Sequence, residues 1–212
     1  MSTIAIEIPE ATATKSVVLR PDLAGTLMTP EEFDAVADAE EGYVYELIHG
    51  ILVVTPPPLE EERGPNEELG FWLRLYRHQH PRDSALDETL LEHHVRGTVD
   101  RRRADRVIWA GLGRMPNPRR DLPTIVVEFA SAGKGERHRD RLEKRAEYLE
   151  LGIAEYWIID RFRHTQSICR AQSEYQVIPR DAVYATPLLP GFELPIARLL
   201  EFADRRHAGK TD

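Results

Sequence analysis

A strand–helix–strand unit between residues 124 and 160 restricts the fold of this chain more than any other feature. The segment "TIVVEFAS" is a run of apolar and β-branched residues typical of a buried strand, and "EYWIID" is a second such run. Between them, "ERHRDRLEKRAEYLELG" has the pattern of a helix. Two strands joined through a helix run parallel in one sheet, with a right-handed crossover. The sequence therefore predicts a sheet that is at least partly parallel.

The other segments alternate between helix and strand patterns. Thr29, Pro30 and Glu32 form a capping-box pattern that predicts the start of a helix. His49 and Gly50 predict a turn between two strands, and residues 66–80 have the apolar spacing of a helix. The intervening "TPPPLEEERGP" predicts a rigid, exposed loop. Further strands are expected in "SALDETLLEHHV", "RADRVIWA", "HTQSICRA" and "EYQVIP".

The predicted fold class is α/β, with an α+β mixed sheet, in one main domain. We expect an N-terminal arm over residues 1–25, the domain over residues 26–202 and a C-terminal tail over residues 203–212. Hydrophobic residues make up 42% of the 212 residues, enough for a core. No apolar span of about 20 residues and no secretory signal are found, so a membrane location is not expected. Cys169 is the only cysteine, which favours the cytoplasm.

The charge distribution leaves two interpretations open. The net charge of −8 argues against a protein that coats nucleic acid. Residues 101–145 nevertheless contain 13 Lys and Arg against 6 Asp and Glu, a balance of +7, so the rest of the chain carries −15. This basic middle permits a local phosphate-binding surface. A solvated face of mixed charge is the simpler interpretation, and charge alone favours it.

Carboxylates lie within or at the end of several apolar strands. Glu46, Asp105 and Glu128 lie in such strands, and Asp160 ends another one before a turn. A buried carboxylate has to be neutralised, paired or bound to a cation. A salt bridge to a neighbouring arginine explains any single one of them, and a sheet-edge position explains Asp160. Three acids on three strands favour a shared site, because Mg²⁺ takes oxygen ligands of this kind and supports phosphodiester hydrolysis.

The helix after Glu128 carries a lysine that can reach back toward the sheet. Its apolar stripe consists of Leu142, Ala146 and Leu149. Lys144 lies roughly on the opposite side and could orient a water molecule or hold a phosphate oxygen. The alternative is an ion pair between Asp140 and Lys144 on a solvated face, worth only about 0.3–0.5 kcal/mol. From the spacing alone, this alternative is favoured.

The segments "YELIHGILVVTPPP", "RADRVIWA", "LPTIVVEFAS" and "DRLEKRAEYLELGIAEYWIID" together resemble the Uma family of restriction endonucleases. That family belongs to the PD-(D/E)XK nuclease superfamily, and the resemblance covers roughly residues 25–200. It implies a PD-(D/E)XK nuclease-like core, a mixed β-sheet flanked by helices. It also implies a metal site formed by Glu46, Asp105 and Glu128, with Lys144 in place of the superfamily lysine that would otherwise fall at Ala130.

Two positions depart from the family pattern. Ala104 replaces the proline that usually precedes the aspartate, a change of backbone geometry that removes no ligand. The helix after "PPP" often carries a histidine near its start, and Asn66 stands closest to that position here. This second departure could weaken nucleic-acid contact or activity.

Three functions are consistent with these observations. The first is an endonuclease that uses Mg²⁺ or Mn²⁺ to hydrolyse nucleic acid, with DNA as the expected substrate. The second is a non-catalytic binding or interaction protein that keeps the nuclease fold, and the third is a metal-dependent hydrolase with another substrate. For the first, a homodimer is expected, because cutting both strands of a duplex usually calls for two active sites.

Overall fold

The computed structural model describes residues 17–58, 60–130, 140–173 and 175–201. Twelve strands are found in these residues. In chain order they are β1 (Val18–Leu19), β2 (Asp38–Ala39), β3 (Val44–Ile48), β4 (Ile51–Thr55), β5 (Leu86–Arg96), β6 (Arg101–Ala110), β7 (Ile125–Phe129), β8 (Glu155–Asp160), β9 (Thr165–Cys169), β10 (Gln176–Pro179), β11 (Val183–Ala185) and β12 (Glu193–Pro195).

Helices α1 (Pro30–Asp34), α2 (Glu60–Gln79) and α3 (Arg145–Leu151) accompany the strands. A π-helical segment, Asp140–Lys144, leads directly into α3, and Pro21–Leu23 forms a 3₁₀ turn. Residues 196–201 are also helical. None of the helices in the described ranges combines the length and the apolar character needed to cross a bilayer.

Two of the predicted local signals are confirmed. At α1, the Thr29 hydroxyl accepts a hydrogen bond from the Glu32 amide at 3.2 Å, and the Glu32 carboxylate accepts one from the Thr29 amide at 2.7 Å. Between β3 and β4, His49 and Gly50 have φ angles of 51° and 74°. Two successive positive φ angles are the signature of a type I′ hairpin turn, which matches the twist of the strands it joins.

The prediction of a loop over "TPPPLEEERGP" is wrong in its second half, because α2 already begins at Glu60 and includes Pro65. Proline is a helix breaker by local rules, since it removes one backbone hydrogen bond. Two features favour the helix here. Asn66 binds strand β6 through its side chain, and Leu69 is fully buried in the core under the helix.

The central sheet has eight strands in the order β10-β9-β8-β7-β6-β3-β4, with β5 as a further partner of β6. Strands β7 and β8 are parallel, with Glu128 opposite Ile158, which confirms the parallel pair predicted around the crossover. The remaining pairs in this sheet are antiparallel, including the predicted hairpin of β9 and β10. The sheet is therefore mixed.

Helices α2 and α3 cover opposite faces of this sheet. Ile125 and Val127 of β7 belong to the core under α2, whereas Val126 belongs to the core next to Tyr148 of α3. This alternation follows from the two-residue period of a strand. The predicted mixed sheet flanked by helices is confirmed, and β7 is buried on both of its faces.

Strand β6 has partners on both of its edges, and one of these edges is shared. Strand β5 pairs with it from Arg101 to Ala110. On the other edge, β3 pairs only at Arg101, and β7 pairs only from Arg106 to Ile108. Residues 102–105 of β6 thus face neither β3 nor β7 in a regular ladder. We call this interval the strand gap.

Part of the predicted N-terminal arm lies within the described residues. Strand β1 pairs with β2, and Leu19 packs in a small core with Phe33 and Tyr45. Residues 1–16 and the predicted tail, 203–212, lie outside the described residues. The proposed domain boundaries stay a prediction.

Candidate active site

Side chains take the place of ladder hydrogen bonds in the strand gap. The Arg103 amide donates to Oε1 of Glu46 at 2.8 Å, and Nζ of Lys144 lies 3.5 Å from the Arg103 carbonyl oxygen. Two residues further along, Oδ2 of Asp105 accepts a hydrogen bond from the Phe129 amide at 2.6 Å. Buried backbone groups need partners, and the opening between β3 and β7 leaves that role to side chains.

Glu128 and Lys144 form a buried ion pair beside the gap. Nζ of Lys144 donates to Oε1 of Glu128 at 2.8 Å, and each residue is only 4% exposed. The hydroxyl of Tyr148 donates to the same carboxylate oxygen at 3.3 Å. The cation in contact with Glu128 offsets much of the cost of burying its charge.

The helical segment Asp140–Leu151 buries Lys144 and Tyr148, and its apolar stripe is divided. Leu142 is 54% exposed and Ala146 is exposed, whereas Leu149 packs against the core next to Tyr148. A solvated pair of Asp140 with Lys144 therefore does not describe this lysine. The Asp140 side chain itself lies outside the described residues. Lys144 and Tyr148 can be buried because polar groups bind them. Lys144 contacts the Glu128 carboxylate and the Arg103 carbonyl oxygen, and Tyr148 contacts the Glu128 carboxylate.

Tyr148 is held in its neutral form. Burial raises the pKa of its hydroxyl well above the ordinary value, and the nearby Lys144 ammonium opposes this shift while Glu128 and Glu46 add to it. A phenol that stays protonated keeps its hydrogen for Glu128 over the whole physiological range. Tyr148 therefore fixes the orientation of that carboxylate.

Asp105 and Glu128 are the first residues beyond the end of the β6–β7 ladder, whose last pair is Arg106 with Val127. The Asp105 carboxylate accepts a hydrogen bond from the amide of Phe129, the residue next to Glu128. Asp105 also lines a cavity of about 360 Å³ between the start of α2 and strand β5. This cavity gives a ligand access to the Asp105 end of the site.

Asn66 ties α2 to the strand that carries Asp105. Its amide nitrogen donates to the Asp105 carbonyl oxygen at 2.8 Å, and its amide oxygen accepts from Nε of Arg106 at 2.7 Å. Arg106 also donates to the Asn66 carbonyl at 2.8 Å and to the Thr89 hydroxyl at 3.2 Å. The helix therefore holds the carbonyl group of Asp105 and the side chain of Arg106.

Arg106 is a buried cation that is held by neutral groups. It is 3% exposed, and among the residues described here it contacts no carboxylate. Burial lowers the pKa of its guanidinium to about 10. Gly70 of α2 packs against it so closely that an added Cβ would lie 2.6 Å from Nη2. The helix thus provides both the hydrogen-bond partners and the space for this arginine.

The four predicted site residues are not equally close together. Glu128 and Lys144 are in contact, and Asp105 binds the amide of the residue next to Glu128. Glu46 reaches the same gap from β3, but through the Arg103 amide. Within the described ranges, no three His, Cys, Asp or Glu residues lie close enough to bind one metal ion together. Glu46, Asp105 and Glu128 therefore do not form a three-acid cluster in this structure.

Asp160 has a structural role. It accepts hydrogen bonds from the amides of Phe162 and Arg163 at 3.0 and 3.1 Å, which confirms its place at a turn. Two histidines that are adjacent in the sequence contact separate backbone carbonyls, His93 that of Pro118 and His94 that of Tyr45.

Sequence reasoning gave no site role to Tyr148 or Arg106, and it singled out Asn66 only as the residue closest to the family's histidine position. For Tyr148 a signal existed, because it lies four residues after Lys144 and so on the same helix face. The contact between Asn66 and Arg106 had no signal in the sequence. Their contact joins residues forty positions apart, and only the packing of α2 on β6 brings them together.

Comparison with solved structures shows the same fold elsewhere. The chain is similar to the protein described as "a putative nuclease belonging to DUF820 from Anabaena variabilis ATCC 29413". The two are 18% identical, with a TM-score of 0.66, and the match covers 83% of this chain and 99% of the other. At this identity the likeness concerns the fold alone. No curated protein is similar enough to this chain to count as a match.

Comparison with protein families gives the closer assignment. The Uma2 family, described as "Putative restriction endonuclease", matches residues 30–197. The match spans every strand from β2 to β12 and includes the whole strand gap. The chain belongs to the Uma2 family of the restriction endonuclease-like proteins.

Proposed function

We propose that the chain is a metal-dependent endonuclease that hydrolyses phosphodiester bonds of nucleic acid, with DNA as the substrate. The observation that carries the proposal is the convergence of Asp105, Glu128 and Lys144 at the strand gap, next to a cavity of about 360 Å³. Two acids and one buried ammonium beside an accessible cavity suit a reaction in which negative charge develops on a phosphate. Membership of the Uma2 family supports this choice.

The donor set fits Mg²⁺ or Mn²⁺. Asp105 and Glu128 supply hard carboxylate oxygens from neighbouring strands, each one residue beyond the last pair of the β6–β7 ladder, and Mg²⁺ is commonly held by one or two carboxylates together with water and a substrate phosphate. These two residues would hold the ion. When bound, it would polarise the phosphate and lower the pKa of a water molecule.

The remaining residues would orient these groups. Lys144 would offer its ammonium to a phosphate oxygen or to the attacking water from its position beside Glu128. Tyr148 would hold the Glu128 carboxylate in place. Glu46 would act through the Arg103 peptide, since that is the group it binds, and would tune the charge of the site from there.

The test is cleavage by the purified protein. Supercoiled plasmid, linear duplex, single-stranded DNA and RNA are incubated with Mg²⁺, with Mn²⁺ and with EDTA. We expect cleavage with either metal and none with EDTA. Glu128→Gln keeps the size of the side chain and removes its charge, and it should lower the rate by about 10²-fold or more, the size of effect seen when a preorganised charge stabiliser is lost.

A control variant guards against contaminating nucleases. Asp181 is an exposed acid outside the site, so Asp181→Asn removes the same charge and should leave the cleavage rate unchanged. Equal cleavage by wild type, Glu128→Gln and Asp181→Asn would contradict the proposed site. Absence of cleavage for every substrate, with metal binding intact, would favour the hydrolase of another substrate.

A binding protein without catalysis is the second candidate. Its support is that Lys144 already neutralises Glu128 within the fold, together with the net charge of −8. Titration calorimetry with Mg²⁺ and Mn²⁺ separates the candidates, because such a protein needs no metal at Asp105 and Glu128. Nucleic-acid binding without metal binding would favour this candidate.

We further propose a homodimer in the cytoplasm. Two sites are needed to cut both strands of a duplex in one encounter, and two-fold dimers are the commonest oligomers. The buried, free Cys169 is compatible with a reducing compartment. Light scattering at micromolar concentration should give twice the chain mass of 24.3 kDa. A mass of one chain would contradict the dimer.

A further inference from the structure

Strand β5 is kinked at one residue, directly across from Asp105. The β5–β6 ladder pairs Leu91 with Arg106 and His93 with Ala104, which leaves Glu92 opposite Asp105. Glu92 has a φ angle of 49°, in the left-handed region that residues with a side chain rarely adopt. Such a conformation inside a strand is unfavourable and persists only where the surroundings hold it.

The kink changes the partner of the Glu92 carboxylate. In a regular antiparallel pair, opposed side chains share a face, which would set the two carboxylates of Glu92 and Asp105 side by side. Instead, Glu92 forms an ion pair with the guanidinium of Arg103. Glu92 still lines the same 360 Å³ cavity as Asp105. The Arg103 guanidinium therefore contacts one residue of that cavity's lining, and Arg103 itself lines a second cavity, of about 470 Å³, together with Tyr45 and His94.

Arg103 combines a fixed backbone with an accessible head group. Its amide binds Glu46 and its carbonyl oxygen faces Lys144, so its main chain is held on the side of the strand gap. Its side chain is 25% exposed, and that of Glu92 is 24% exposed. A guanidinium is a planar fork that matches two oxygens of a phosphate as well as those of a carboxylate.

We propose that Arg103 binds a backbone phosphate of the nucleic acid beside the cleaved bond, and that Glu92 occupies this guanidinium in the absence of nucleic acid. The proposal rests on the proposed function, because it assigns one contact of that substrate. A partly exposed ion pair contributes little stability. An incoming phosphate can therefore replace the Glu92 carboxylate without disturbing the fold.

The experiment measures the affinity of a fluorescently labelled DNA duplex by anisotropy, with EDTA and separately with Ca²⁺, over a range of salt concentrations. Arg103→Met should weaken binding and lower the slope of log K against log salt by about 1, as the loss of one phosphate contact does. Arg103→Lys should restore part of the affinity, because lysine keeps the charge but loses the fork. Both variants retain the backbone contacts of residue 103.

Glu92→Gln should tighten binding by about two- to fivefold, the range expected for release of a partly exposed ion pair. Glu67→Gln is the matched control, since Glu67 is an exposed acid lining the same cavity. This control reports the effect of removing one negative charge near the duplex. Its gain in DNA affinity should be smaller than that of Glu92→Gln. In the Arg103→Met background, Glu92→Gln should gain no more than Glu67→Gln does.

The outcomes separate this inference from the function on which it rests. If the wild type binds the duplex but Arg103→Met changes neither affinity nor salt slope, the Arg103 contact is wrong and the proposed function stands. Equal gains from Glu92→Gln and Glu67→Gln would remove the role of Glu92. If no variant binds nucleic acid under either condition, the proposed function fails and this inference fails with it.

Discussion

Nζ of Lys144 lies 2.8 Å from Oε1 of Glu128, and both side chains are buried between α3 and the central sheet. The pair joins the strand that carries the acid to the helix that follows it in the chain. Lys144→Met keeps the length of the side chain and removes its charge. Breaking a buried ion pair on one side costs about 3 kcal/mol in the free energy of unfolding. We expect a loss of this size in urea denaturation at pH 8, and a cleavage rate lowered by about 10²–10³-fold.

A matched control for this variant is Arg163→Met. Arg163 pairs with Asp160 at 3.9 Å, but its side chain is 68% exposed. Asp160 is fully buried, but it keeps its hydrogen bonds from the amides of Phe162 and Arg163 in this variant, so the loss should cost only about 0.2–1 kcal/mol. The double variant Lys144→Met with Glu128→Gln should recover stability without recovering activity. Equal stabilities of Lys144→Met and Arg163→Met would show that the buried pair is energetically unimportant.

Binding of Mg²⁺ or Mn²⁺ should raise the melting temperature, because a ligand that binds only the native state stabilises that state. At a metal concentration of a hundred times Kd, the free energy of unfolding rises by about 2.7 kcal/mol. Asp105→Asn should abolish the increase and can still accept the hydrogen bond from the Phe129 amide. Glu67→Gln, in the same cavity, should keep it. Scanning calorimetry with and without metal measures both variants. An increase that survives in Asp105→Asn would exclude Asp105 as a metal ligand.

Stability should fall as the pH rises above about 10, the ordinary pKa of a tyrosine. Burial raises the pKa of Tyr148 and of Tyr184 in the folded protein. Above pH 10 the unfolded chain releases these protons while the folded chain retains them, so ionisation favours unfolding. The free energy of unfolding should therefore drop from about pH 10 upward, and Tyr148→Phe should reduce the drop. Tyr43→Phe, at a position 42% exposed, is the control and should leave the drop unchanged.

The thiol of Cys169 should be unreactive in the folded protein. It is fully buried, and burial raises its pKa to about 11, so little thiolate forms at neutral pH. Ellman's reagent at pH 8 should label it only after unfolding in guanidinium chloride. Rapid labelling without denaturant would mean that β9, where Cys169 lies, opens readily.

Gly70→Ala should destabilise the protein. Alanine forms a helix more readily than glycine by about 1 kcal/mol, but the crowding at this position should outweigh that advantage. The added Cβ would lie 2.6 Å from Nη2 of Arg106, and that guanidinium is fixed by its contacts with Asn66 and Thr89. Thermal denaturation should show a lower melting temperature. Within an Arg106→Met background the same substitution should lose this effect, because the crowded group is absent. A stabilising Gly70→Ala in the wild type would show that Arg106 can move aside.

The sequence by itself determined the local elements and most of the chemistry available to the site. The capping box at Thr29, the turn at His49 and Gly50 and the strands around Glu128 depend on neighbouring residues, so local patterns predicted them. The acids in apolar strands were also visible, because a carboxylate in such a run needs a partner wherever the strand lies. Family resemblance then singled out Lys144.

Tertiary structure alone decided how these residues meet. Strand β6 shares one edge between β3 and β7, and this opens a gap whose backbone groups take Glu46 and Lys144 as partners. That demand buries Lys144 and Tyr148, whereas Leu142 and Ala146 of the apolar stripe stay exposed. Helical periodicity shows which residues share a face. Which face is buried depends on the free energy of satisfying the groups it covers, and those groups come from strands far away in the sequence.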